Sequence, residues 1–249
     1  MPAFESDTRT EVQQLQAWQN GSVTCWYDAA ALPEFSATCF DAAYWQQRDA
    51  VLGQSRGRGI TWFVQGSVMP LVLRHYWRGG LMGKLLGDRF FYCGLKRTRC
   101  RREYALLTYL ADAGLPVPRA VGARVVRRGL CYRADLLLER IPEARDLVCL
   151  LRERPLTAEE WARVGGVIRQ LHDVGAWHSD LNSHNLMLDA QGKVWVIDFD
   201  KCDIRSPGPW QQQMLDRLLR SLRKELICNV PFYWQESDWP ALLAGYQAD

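Results

Sequence analysis

The chain has 249 residues, 48% of them apolar and 24% charged, and a net charge of +3. That balance is ordinary for a globular protein and excludes a disordered chain, a collagen-like chain and a disulfide-stapled miniprotein. At ~100–200 residues per domain, the length fits one large domain or two small ones with a sizeable core.

Eight cysteines are present, none in a CxxC pair and none beside a histidine at metal-ligand spacing, so no zinc site is expected. The segment Met1 to Glu11 is acidic and polar and lacks the basic and apolar regions of a signal peptide. Reduced, mostly buried thiols in the cytosol are the expectation. The best uncharged run, Gly59 to Leu73, has 15 residues. Spanning a bilayer takes ~20 apolar residues, so any membrane contact is expected to be peripheral.

Charge is unevenly spread. Residues 1–54 carry seven acids and two bases, while residues 74–102 carry nine bases against Asp88 alone. A run this one-sided, with Arg97, Arg99 and Arg101 near its end, is a solvated face or a surface for phosphate-rich ligands or anionic membrane.

In chain order, residues 1–54 give no clear period. Ile60 to Val64 and Val68 to Tyr76 read as strands around a Gln65-Gly66-Ser67 turn, the second interrupted early by Pro70. A helix is predicted around Arg99 to Ala113, with Tyr104, Leu107 and Leu110 on one stripe and Gly114 as its stop. Ala120 to Val126 and Cys131 to Glu139 read as two more strands. Ile141 to Leu147 is the expected hinge. Thr157 and Glu160 form a capping-box pattern ahead of a helix with Trp161, Val164, Ile168 and Leu171 on one face. Two short strands follow, Leu186 to Leu188 and Val194 to Ile197. A last strong helix is predicted over Gln211 to Ile227, with Leu215, Leu218, Leu222 and Leu226 inward and Arg217, Arg220 and Lys224 outward.

The stretch that carries chemistry is His178-Ser-Asp180-Leu-Asn-Ser-His-Asn185, followed thirteen residues later by Asp198-Phe-Asp200. The spacing puts Asp180 in a loop after a buried helix, Asn185 at the mouth of a tight hairpin and Asp198 at the end of its returning strand. The hairpin brings Asn185 and Asp198 together. Their oxygens suit Mg²⁺ that keeps waters and bridges to phosphates. Asp180 stays free to accept a hydroxyl proton.

These residues resemble the protein-kinase catalytic core. Its H-R-D-L-x-x-x-N pattern stands here as His178-Ser-Asp180-Leu181-x-x-x-Asn185, and its D-F-G as Asp198-Phe-Asp200. Gly57-Arg-Gly59-x-x-Trp62-x-Val64 is similar to the glycine-rich loop, with tryptophan at the third glycine. Arg74 stands where the strand lysine is expected, Lys84 and Lys96 are alternatives to it, and Glu103 is the candidate partner of that cation.

The closer resemblance is to the bacterial lipopolysaccharide sugar kinases, with the 3-deoxy-D-manno-octulosonate (Kdo) kinases as best fit. It is carried by Val72-Leu-Arg-His-Tyr76 with Arg78-Gly-Gly80, Leu115-Pro-Val-Pro118, Trp177 to Asn185 and Trp195 to Asp200. It runs from about Gly57 past Lys224 and covers the first fifty residues less fully.

The resemblance implies an α+β, two-lobed kinase-like fold. Residues 1–140 would form a β-rich lobe with one inserted helix and an N-terminal extension, and residues 141–249 a helical catalytic lobe. It implies ATP-dependent phosphorylation of the 4-hydroxyl of Kdo attached to lipid A, at the cytoplasmic face of the inner membrane. Asp180 is expected to act as the base, with Asn185 and Asp198 on Mg²⁺ and Gly57, Gly59, Arg74 and Glu103 toward ATP. Asp200 and His184 are candidates for substrate or metal. An anionic membrane surface is an expected partner; nucleic acid and an obligate protein partner are not. Two alternatives stand beside this reading: a kinase for another core sugar or hydroxyl compound, and a catalytically inactive ATP-binding scaffold. Against a protein acceptor, no Ala-Pro-Glu triplet follows Asp200.

Overall fold

A computed structural model describes residues 15–56, 59–79 and 87–248. Gly57 and Lys84 therefore lie outside the described residues. The chain first runs through β1 (Leu15–Asn20), β2 (Val23–Asp28), α1 (Ala42–Gln46), β3 (Val51–Arg56), β4 (Ile60–Gln65), β5 (Pro70–His75) and β6 (Phe90–Phe91). Helix α2 (Arg99–Asp112) follows, then β7 (Ala120–Arg128), β8 (Cys131–Glu139), β9 (Arg145–Asp146), α3 (Leu147–Leu151) and α4 (Ala158–Asp173). The rest is β10 (Ala176–Trp177), β11 (Leu186–Leu188), β12 (Val194–Val196), β13 (Asp203–Ile204), α5 (Trp210–Cys228) and α6 (Trp239–Gln247).

One antiparallel sheet in the order β1-β2-β7-β8-β5-β4-β3, with β6 on β8, holds the first half together. Pro70 opens β5 instead of interrupting it, because a proline is tolerated at a strand's first residue. Side chains alternate across β5. Leu71 and Leu73 join a core with Phe40, Trp45, Val121 and Leu137 on the sheet's outer face. The N-terminal extension thus has a role that its sequence hides. It supplies two strands and the residues that cover this face. Trp62, which stands at the third glycine of the loop pattern, also packs there.

The other face of the sheet packs on α2 and continues into the helical half. A single apolar cluster runs from Tyr104 and Leu110 through Leu136 to Trp161, Leu171, Phe199, Leu218 and Leu242. The predicted capping box is present. Glu160 N–H donates to Thr157 Oγ1 at 3.2 Å, and Thr157 N–H donates to Glu160 Oε2 at 2.8 Å. On α5 the inward face is Trp210, Met214, Leu215, Leu218, Leu222 and Glu225; Leu226 is exposed, one position off the stripe predicted for it.

Helix α6 was not foreseen, because it docks through glycines and not through a leucine stripe. A Cβ on Gly165 would meet Leu242 O at 2.0 Å, and one on Gly245 would meet Ala162 O at 2.0 Å. The backbones of α4 and α6 touch there. We expect Gly165→Ala to pry them apart and cost about 1–3 kcal/mol, as overpacking does. A melting temperature equal to wild type would contradict this contact.

Candidate active site

The loop from His178 to Asn185 is held by its own buried histidine. His178 Nε2 lies 3.0 Å from the Ile197 carbonyl, and its Nδ1 lies 3.3 Å from the Asp180 N–H. A carbonyl only accepts and an amide N–H only donates, so the neutral ring with its proton on Nε2 serves both. Burial pushes the His178 pKa down, which keeps that form. Ser179 Oγ donates to the Asp200 carbonyl at 3.0 Å. Loop and returning strand are thereby tied on both sides.

The hairpin pairs the backbone of Asn185 with the residue before Asp198. β11 pairs with β12, and Ile197 N–H donates to the Asn185 carbonyl at 3.0 Å. Asn185 Nδ2 donates to the Asp180 carbonyl at 2.9 Å. Its Oδ1 has no partner among the described residues. Asp198 adopts a left-handed φ of 63°, a conformation that Asp tolerates better than most residues. The turn aims its carboxylate back at the sheet.

There it meets Arg74. One Nη1 of Arg74 donates to Asp198 Oδ1 at 2.6 Å, and Nη2 reaches Glu103 Oε1 and Oε2 at 2.6 and 2.5 Å. Tyr76 donates its hydroxyl to Glu103 Oε2 at 2.6 Å. Glu103 therefore partners Arg74, while Lys96 lies elsewhere, on a groove outside α2. Burial alone would push the Arg74 pKa down; Glu103 first, then Tyr76 and Asp198, push it well above its ordinary value. With its planar fork the guanidinium bridges strand, helix and the Asp198 carboxylate at once.

A pocket of 270 Å³ opens beside these groups, lined by Gly59, Thr61, Arg74, Tyr76, Asp198 and Asp200. Gly59 has a further constraint. A Cβ there would lie 2.2 Å from the Trp77 indole, so the glycine lets that ring close over the hairpin.

Of the two further candidates, Asp200 lines this pocket but is bound to Arg99, and His184 lies outside it. Both Asp200 oxygens are held by Arg99, which reaches Oδ1 through Nε at 2.8 Å and Oδ2 through Nη2. Asp200 thus clamps the loop to α2. This also removes Arg99 from the basic surface run. His184 is exposed and lies 3.4 Å from Glu225 and 3.8 Å from Asp146, outside the pocket.

Arg217 lies on the outer face of α5, as the sequence predicts, and its Nη1 donates to Asp180 Oδ1 at 2.7 Å, a contact that the sequence does not reveal. Only the fold brings them together, because 37 residues separate them. No signal in the sequence marks this arginine among its neighbours Arg220 and Lys224.

The profile of the lipopolysaccharide kinase (Kdo/WaaP) family matches residues 42–246. The chain belongs to the lipopolysaccharide kinase (Kdo/WaaP) family. Among curated relatives, the 3-deoxy-D-manno-octulosonic acid kinase of Vibrio parahaemolyticus is 46% identical, covering 92% of this chain and 95% of the relative. The enzyme of that name from Photobacterium profundum is 47% identical over 89% and 94% of the two chains. That from Vibrio cholerae is 44% identical over 94% and 98%. The family match begins inside the N-terminal extension, in α1, and ends in α6. The full-length relatives extend the similarity over most of the extension.

Proposed function

We propose that this chain, a kinase of the lipopolysaccharide family, transfers the γ-phosphoryl group of ATP to the 4-hydroxyl of Kdo attached to lipid A. The observation that carries this reading is one loop and hairpin that hold Asn185 on the Asp180 backbone carbonyl and turn Asp198 onto the Arg74–Glu103 pair, in a chain similar over nearly its whole length to proteins named Kdo kinases. In this reading the sheet and α2 form a smaller lobe that holds ATP, and residues beyond about Ile141 form the lobe that holds the acceptor.

Asp180 takes the proton of the attacking hydroxyl. The new bond joins that oxygen to the γ-phosphorus, and the bond to the bridging oxygen of ADP breaks. Arg74 and the Gly59 hairpin fix the phosphates. Phosphoryl transfer asks mainly for positioning and charge stabilisation, so few groups suffice. Asn185 Oδ1 and the Asp198 oxygen not taken by Arg74 are hard donors of the kind Mg²⁺ takes, so Asn185 and Asp198 would hold it. Mg²⁺ held there would supply neutralisation of the charge that builds on the phosphates.

Labelled ATP offered with Kdo-lipid A and, separately, with heptose-bearing and protein acceptors tests the assignment. Label is expected in Kdo-lipid A alone; transfer to another acceptor in its place would overturn it. Asp198→Asn keeps the left-handed backbone but loses the charge. We expect it to raise the Mg²⁺ requirement and collapse the rate, and an unchanged magnesium titration would remove Asp198 from the metal.

Such an acceptor is anchored in a membrane, and among the described residues no helix is long and apolar enough to cross one. The groove outside α2 offers a peripheral surface. Lys96, Arg101 and Arg102 rim it, with Tyr109 and Ile204 exposed beside them. Each basic residue near an anionic surface contributes ~1 kcal/mol. We expect Lys96→Glu with Arg97→Glu to weaken binding to anionic vesicles at low salt while ATP binding holds. Equal wild-type binding to neutral and anionic vesicles would contradict this surface.

A further inference from the structure

Arg217 shares the half-exposed face of Asp180: their side chains are 48% and 54% accessible. One N–H of its guanidinium goes to Asp180, and the remaining donors have no partner among the described residues. The arginine is also held in place. The face of α5 that carries it lies along the catalytic loop, with Ser221 one turn on bonded to Ser183 at 2.8 Å and Glu225 one turn further facing His184 at 3.4 Å. Residues 217, 221 and 225 form one i, i+4 ridge matched to residues 180, 183 and 184. A planar fork next to the group that receives the hydroxyl proton, fixed by its helix and open to solvent, is built to take a second anion there. Carboxylates and phosphates are what such a fork binds in pairs of hydrogen bonds.

We propose that Arg217 recognises the carboxylate of the acceptor sugar. The proposal rests on the reading of the chain as a kinase for Kdo, which is a sugar acid. Arg217 then does two things. It orients the Asp180 carboxylate, and it grips the acid group of the same sugar whose hydroxyl Asp180 deprotonates. The acceptor is held at two points, so its hydroxyl faces the γ-phosphorus in one pose. A neutral sugar with the same hydroxyl would lack the second hold and leave the guanidinium half paired. Specificity for an acidic sugar thus comes from a helix outside the conserved-looking loop motif.

The test crosses two enzymes with two acceptors: wild type and Arg217→Ala, each with Kdo-lipid A and with its C1 carboxamide. Wild type should prefer the acid by roughly 10- to 100-fold in kcat/KM, the range of a hydrogen bond to a charged group. In Arg217→Ala the preference should fall close to one, with the acceptor KM raised and the ATP KM unchanged. Arg217→Lys should restore part of the preference, since it keeps the charge and loses the fork. Arg217→Gln, shorter and uncharged but still polar, replaces the alanine variant if that one melts early. An acid preference that survives in the variants, or a wild type that accepts acid and amide alike, overturns the role of Arg217 while the kinase assignment stands. A wild type that transfers nothing to the acid overturns the kinase assignment and this inference with it.

Discussion

Asp180→Ala is expected to cut phosphoryl transfer to Kdo-lipid A by roughly 10²–10⁴-fold, the range a positioned general base supplies. Nucleotide binding should be largely kept, because Asp180 makes its side-chain contact with Arg217 and not with the Arg74 cluster. Stability should barely change. Asp180 and Arg217 are both about half exposed, and such pairs contribute little to folding. The backbone carbonyl of Asp180, which accepts from Asn185, survives the substitution. Paired measurements of turnover and ATP binding on the purified variant check this. A variant that keeps a tenth or more of wild-type transfer would show that Asp180 does no proton work.

Arg74→Ala has the second large effect, and it falls on stability as well as rate. Glu103 is 1% exposed and loses its cation, keeping only the Tyr76 hydroxyl. Removing one partner of a buried ion pair costs about 3–5 kcal/mol. For a chain of this size that corresponds to roughly 6–20 °C in melting temperature. Transfer should fall by roughly 10²–10³-fold, as when a preorganised donor to developing charge is lost. The two losses separate in a double variant. Arg74→Met with Glu103→Leu replaces the pair with apolar groups of similar volume, which is often neutral or stabilising. We expect it to melt above Arg74→Ala, short of wild type because the buried Tyr76 hydroxyl loses its acceptor, and to stay inactive. An active double variant would mean that Arg74 serves only the fold.

What the sequence shows of this molecule depends on where its constraints lie. The stripe Trp161, Val164, Ile168 and Leu171 is readable because helix period and burial coincide. The segment from His178 to Asp200 is readable because a loop, a tight hairpin and two carboxylates are set by local spacing. The pairing of Arg74 with Glu103 was expected from a motif, yet its reach to Asp198, 124 residues away, follows only from the turn at Asp198. β1 stays hidden because its side chains are mostly exposed, so no alternation is imprinted on it. α6 stays hidden because close backbone approach at Gly165 and Gly245 replaces an apolar stripe. Arg99 and Arg217 look like surface charge in the sequence. Their partners Asp200 and Asp180 lie 101 and 37 residues away, and no periodicity records such a meeting.

The most direct measurement locates the phosphate. Wild-type protein is incubated with ATP, Mg²⁺ and Kdo-lipid A, and the product is read by phosphorus–proton correlation NMR beside an Asp180→Ala control. We expect one new phosphate, coupled to the proton at C4 of Kdo, formed by the wild type and absent with the variant. A phosphate at any other position, or an equal yield from the variant, would contradict the assignment of this site to Kdo phosphorylation.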